Sequence, residues 1–196
     1  MLTKLKQRVQ TWLTSTARVF HNLGLTPNNV SIIGIFFAAL ASVAYSQWHF
    51  NSLLLILAPV LFLISGLFDA LDGVMARIYG ETTKFGAFFD SLLDRYADVL
   101  VLCGIILGGL TNLIWGLAAL TGSLLVSYTR ARAVAAGVKM ELVGLAERAE
   151  RIMLVVFASF LTYVWIDALN WSILFLAILT NLTIIQRVSY FRKVSK

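Results

Sequence analysis

The chain has 196 residues, of which 59% are hydrophobic and 13% charged, and its formal net charge is +6. Soluble domains carry about a quarter charged residues, so this composition excludes an aqueous globule and points to the bilayer. Cys103 is the single cysteine, so no intrachain disulfide can form and the fold does not depend on an oxidising compartment.

Met1 to Leu23 is basic through Lys4, Lys6, Arg8 and Arg18, and Leu2, Leu5, Val9, Trp12, Leu13, Val19, Phe20 and Leu23 recur near helical spacing. A secretory leader would show a continuous apolar core instead. The pattern predicts an amphipathic juxtamembrane helix over residues 1–25, lying on an anionic membrane face. Thr26-Pro27-Asn28-Asn29 then starts a helix: Thr26 can cap it, and Pro27 suits its first position.

Six apolar runs follow within residues 26–196: about Val30–Ser46, Leu53–Ile78, Phe85–Leu107, Leu113–Arg130, Ile152–Trp165 and Ile173–Ile185. They predict an all-α bundle of six transmembrane helices. Spanning takes about 20 residues, so the shorter runs must carry polar ends below the headgroups. Trp48 marks the first turn at interface level. Apart from Arg95, the Lys and Arg residues gather in the N-terminal segment, around the loop after the second span, after the fourth and in the tail. Basic loops face the cytoplasm, which places both termini there.

The stretch that carries chemistry begins at Asp69. Asp69 and Asp72 lie three apart near the end of the second span, and Asp90 and Asp94 lie four apart in the third. Each pair occupies one helical face, and the loop between the spans is short, which predicts antiparallel neighbours whose carboxylates converge. Four acids crowded near lipid repel one another and are costly to bury. A divalent cation relieves both problems, and an all-oxygen ligand set favours Mg²⁺ or Mn²⁺. Gly73 leaves room for a phosphate or nucleotide to approach the backbone. Asp98, one turn past Asp94, is expected to pair with Arg95. Gly104 and Gly108 form a GxxxG step that serves internal packing or dimerisation.

The order D-x2-D-G-x2-A-R-x8-G-x3-D-x3-D, with every fixed position present from Asp69 to Asp94, resembles the signature of the CDP-alcohol phosphotransferases. The resemblance implies a juxtamembrane helix, six spans, a homodimer, and transfer of a phosphoryl-lipid group from a CDP-lipid to an alcohol. Carried over by position, Asp69, Asp72 and Asp90 would ligate metal. Asp94 would be a shared ligand or the base for the acceptor hydroxyl. Gly73, Arg77 and Gly86, with Lys84 beside them, would line the CDP site, and Pro27 and Asn28 would close over the nucleotide.

A second cluster lies between the fourth and fifth spans: Ser127-Tyr128-Thr129-Arg130-Ala131-Arg132, then Glu147-Arg148-Ala149-Glu150-Arg151. Guanidinium forks bind phosphate oxygens bidentately, so these arginines point to a phosphorylated acceptor, with the glutamates interleaved as pairing partners. The segment is similar to that of the phosphatidylinositol-phosphate and archaetidylinositol-phosphate synthases. That likeness implies inositol 1-phosphate as acceptor, held by Arg130, Arg132, Arg148 and Arg151, with glycerol-3-phosphate as the competing anion. A divalent-cation transporter would instead line a path through the membrane with acids. No nucleic-acid partner is expected.

Overall fold

The computed structural model describes residues 2–140, 143–145 and 147–195, with side chains from Gln10 onward. Among these residues the chain is all-helical: α1 (Leu2–Asn22), α2 (Pro27–Ser46), a 3-10 turn (Trp48–Phe50), α3 (Leu54–Tyr79), α4 (Lys84–Leu107), α5 (Leu113–Ala135), α6 (Arg148–Thr162) and α7 (Ala168–Val194). The starts follow local chemistry. Thr26 accepts a hydrogen bond from the Asn29 N–H at 3.3 Å ahead of Pro27, and Thr83 accepts one from the Gly86 N–H at 2.9 Å. Each satisfies an amide that the first helical turn leaves without a partner. Gly80 ends α3 at φ 67°, a left-handed conformation that glycine adopts without steric cost.

α2 to α7 close into a ring in the order α2–α3–α6–α7–α5–α4, with α4 returning to α2. The two acid-bearing helices are neighbours as expected, but α3 and α4 meet at few points and α2 packs along both. Glycines on the contact faces explain this. A Cβ on Gly104 would lie 2.4 Å from the Ser42 carbonyl oxygen, and one on Gly108 would lie 2.3 Å from that of Tyr45. The GxxxG step of α4 is therefore spent on α2, where small residues let two backbones approach. Across the ring, Tyr45 and Ser159 join α2 to α6 by a 2.7 Å hydrogen bond at fully buried positions.

α1 lies outside the ring against α3. Leu13, Ala17 and Phe20 pack on Leu71 and Met75, and His21 stacks on Tyr79 with ring centroids 3.5 Å apart. Trp12, Val19 and Leu23 stay more than half exposed, so the apolar residues of α1 divide between a protein-facing and an outward stripe. Leu2, Lys4, Leu5, Lys6, Arg8 and Val9 of the expected amphipathic face lie outside the described side chains, and Lys196 lies outside the described residues.

Large apolar side chains such as Phe36, Leu107, Ile114, Phe157 and Val164 cover the outside of the ring. In water such a surface would aggregate, whereas in a bilayer it is the solvated face, and the chain is a multi-pass membrane protein. Three helices, α2, α3 and α7, are long and apolar enough to cross by length and composition alone. α4 carries Asp90, Asp94, Arg95 and Asp98, and α6 has only 15 residues. The polar ends extend helices rather than ending them: α5 continues to Ala135 and α6 begins at Arg148, where Arg148 and Arg151 find acidic partners inside the ring.

Candidate active site

Successive acids at Asp90, Asp94 and Asp98 are four residues apart, so α4 presents them along one face. α3 presents Asp69 from across the ring. One oxygen each from Asp69, Asp90 and Asp94 lie within 4.8 Å of one another. α2 supplies the back wall: a Cβ on Gly34 would stand 3.2 Å from Phe68 Cβ and 3.4 Å from the Ser65 carbonyl, so only a small residue lets the two helices meet here. Ser31, one turn earlier on α2, donates a hydrogen bond to Asp72 Oδ2, and Asp72 is 4% exposed. Asp72 thus stands on the wall shared with the trio, one oxygen already occupied. Asp69, Asp72, Asp90, Asp94, Ser31 and Arg148 border an interstice of about 10 Å³, space for one water-sized sphere.

α6 contributes the positive charge. The Nη1 of Arg148 lies 2.7 Å from Asp69 Oδ2 and 2.7 Å from Asp94 Oδ1, and its Nε lies 3.4 Å from Asp98 Oδ1. The Nη2 of Arg151 lies 3.0 Å from Asp98 Oδ2. Asp98 therefore pairs across the ring, not with Arg95 on its own helix. Arg95 turns to Ser91, donating to Oγ at 2.6 Å, and approaches Asp94 only to 3.7 Å. The glutamates also differ from expectation: Glu147 and Glu150 form a reciprocal capping box, with the Glu147 N–H donating to Glu150 Oε2 at 2.6 Å. They fix where α6 starts, and hence where Arg148 and Arg151 project.

Two clefts meet at the carboxylates. One, of about 170 Å³, is lined by Pro27, Asn28, Gly73, Arg77, Gly86, Asp72 and Asp90, among others. The Arg77 guanidinium approaches Gly73, and Asn28 Oδ1 approaches Gly86, so larger side chains at either glycine would fill this space. Lys84, expected here, does not line the cleft; it opens α4 as an exposed residue. The other cleft, of about 420 Å³, is lined from five helices and includes Asp69, Asp94, Asp98, Arg130, Arg148, Arg151 and Arg187. Arg132 is not among its residues. Two positions on from Arg130 around α5, it borders a separate apolar groove with Met140 and Phe191.

Arg187 and Ser31 are the site residues that the sequence reading missed. Arg187 is 3% exposed, its Nε donates to the Val143 carbonyl at 2.8 Å, and its Nη1 donates to that of Val126. It ties α7 to α5 and to the segment before α6. In sequence it is one more cation after an apolar run, indistinguishable from a membrane anchor. Ser31 carried no signal beyond standing one turn after Pro27.

Divalent metal fits the residues present. Asp94 Oδ1 is buried and, among the described residues, accepts no hydrogen bond although Arg148 stands 2.7 Å away. The contact is Coulombic without an aligned N–H, and Asp94 lines the interstice. Three oxygen donors around a space of that size suit a hard cation.

Known proteins resemble the chain in both sequence and fold. The family model described as CDP-alcohol phosphatidyltransferase matches residues 24–185. Archaetidylinositol phosphate synthase of Pyrococcus horikoshii is 40% identical over 190 residues, covering 96% of this chain and 95% of that protein. The crystal structure of Mycobacterium tuberculosis phosphatidylinositol phosphate synthase in complex with manganese and citrate superposes with TM-score 0.81 at 30% identity, over 91% of this chain and 88% of that one. The same enzyme with CDP-DAG bound gives TM-score 0.80 at 31% identity, over 91% and 92% of the two chains.

Proposed function

As the chain belongs to the CDP-alcohol phosphatidyltransferase family, we propose that it transfers a phosphatidyl-type or archaetidyl group from a CDP-lipid to inositol 1-phosphate, releasing CMP. The observation that carries this reading is the carboxylate trio at the joint between two clefts of different character. The smaller cleft, with its glycines, Asn28 and Arg77, receives the CDP moiety. The larger one, with Arg130, Arg148, Arg151 and Arg187, receives the phosphorylated polyol, and its size suits an inositol ring better than a glycerol chain.

Asp69, Asp90 and Asp94 hold Mg²⁺ or Mn²⁺, with Asp72 braced beside them by Ser31. The ion, when bound, neutralises charge on the pyrophosphate and on the departing CMP. The arginines grip the acceptor phosphate and set its free hydroxyl toward the lipid-side phosphorus, so that positioning supplies much of the rate. Asp94 borders both the interstice and the acceptor cleft and takes the hydroxyl proton. A new P–O bond forms to the acceptor oxygen as the pyrophosphate P–O bond to CMP breaks. A cation-transport reading finds no support in acids gathered between two substrate-sized clefts.

α2 to α7 all cross the bilayer, α4 and α6 turning Asp94, Asp98, Arg148 and Arg151 into the ring, with both termini and the clefts on the cytoplasmic side. Residues 1–25 form the juxtamembrane helix beside the domain of residues 26–196, the outward stripe of α1 lies in the headgroups, and the molecule is a homodimer. The function is tested by supplying purified protein with Mg²⁺, a CDP-lipid and one acceptor at a time. CMP release with inositol 1-phosphate is expected. Release with glycerol-3-phosphate alone would overturn the acceptor, and none with either would overturn the reading.

A further inference from the structure

Arg148 occupies a place that the proposed chemistry does not explain. A residue serving only the acceptor phosphate would point into the open cleft, yet its Nη1 lies 2.7 Å from oxygens of both Asp69 and Asp94, two of the three carboxylates in mutual ligand range. It borders the interstice as well as the large cleft. A divalent ion drawing on the same oxygens would stand next to the guanidinium, and like charges at such separation repel strongly away from water. The two cations exclude each other. An alternative seat exists, since Arg148 Nε is already 3.4 Å from Asp98 Oδ1. The capping box fixes the start of α6, so the side chain can change seats without moving the helix.

We propose that Arg148 is a displaceable internal cation that neutralises Asp69 and Asp94 before metal enters and is released toward the acceptor phosphate when it does. The proposal rests on the reading of Asp69, Asp90 and Asp94 as metal ligands. It makes metal and acceptor binding mutually reinforcing, because metal frees Arg148 to meet the acceptor phosphate and the phosphate draws Arg148 off the metal's oxygens, and such coupling is reciprocal by thermodynamic necessity. It also gives Asp98 a purpose as the residue that keeps the released guanidinium beside the cleft.

The test is Mn²⁺ binding to the purified full chain, followed by electron paramagnetic resonance of free Mn²⁺, with sulfate as a tetrahedral dianion in place of the acceptor phosphate. In the wild type, saturating sulfate is expected to tighten Mn²⁺ binding about tenfold, within the roughly 5–150-fold range of coupled sites. Arg148→Gln is expected to bind Mn²⁺ about tenfold more tightly without sulfate and to gain nothing when sulfate is added. Arg148→Ala is the second variant should the first not purify as a single species. A wild type indifferent to sulfate, or an Arg148 variant that binds Mn²⁺ no more tightly or keeps the sulfate effect, would overturn the proposal while leaving the metal site intact. A wild type that binds no Mn²⁺ at all would overturn both.

Discussion

Asp69, Asp90 and Asp94 are held by different means from Asp72, and the difference sorts their roles. The trio faces an interstice with one carboxylate oxygen that, among the described residues, accepts no hydrogen bond, while Asp72 is buried and braced by Ser31. Asp69→Asn and Asp90→Asn each remove a charge from the trio with almost no change in volume. We expect CMP release to fall about 100-fold or more, beyond the roughly 10–100-fold that loss of mere supporting contacts costs a metal site. Unchanged circular dichroism would show that the fold survives. Retained turnover in either variant would remove that residue from the site. At this scale the sequence was most legible where spacing on one helix sufficed, as for Asp90 and Asp94. It was least legible where a partner came from elsewhere: Asp98 has Arg95 three residues away, but Arg148 and Arg151 reach it from α6, in a more enclosed setting that favours a charged pair.

The start of α2 was readable because Thr26-Pro27 encodes it locally, whereas α5 and α7 run on past their apolar stretches and α6 starts ahead of its own. Which helices touch most closely was not readable. A short loop made α3 and α4 neighbours, but glycines on α2 and α4 bring α2 against both, and glycine spacing alone does not say which partner it admits. Gly104→Leu tests that contact. Its first side-chain carbon would meet the Ser42 backbone at 2.4 Å, and backbone cannot yield as a flexible side chain can. Overpacking of this kind costs roughly 1–3 kcal/mol or more, so we expect a clearly lowered Tm in detergent with loss of activity. A variant as stable and active as the wild type would mean that α4 does not lean on α2 through this step.

As a whole molecule, the protein places its charges where a lipid-facing bundle can tolerate them, inside the ring and toward one end. The family and the acids at its centre were legible in the motif from Asp69 to Asp94. The separate grouping of Gly73, Arg77 and Gly86 from Arg130, Arg148 and Arg151 was legible too, and the two groups line different clefts; the place of Arg187 was not, because it arrives from the far end of the chain. The proposed orientation rests on the basic residues and is testable by single-cysteine labelling in a Cys103→Ser background. Cysteines at Asn112 and Asp167 should react with an impermeant maleimide in intact cells, and those at Ala136 and Ser195 only after permeabilisation; the reverse would invert the topology. The central claim is that a divalent ion sits among Asp69, Asp90 and Asp94 between nucleotide and acceptor. Anomalous diffraction from crystals soaked in Mn²⁺ measures this directly. The account predicts a peak within roughly 2.0–2.6 Å of oxygens from all three; a protein that releases CMP yet shows no peak there, or one ligated by other residues, would contradict it.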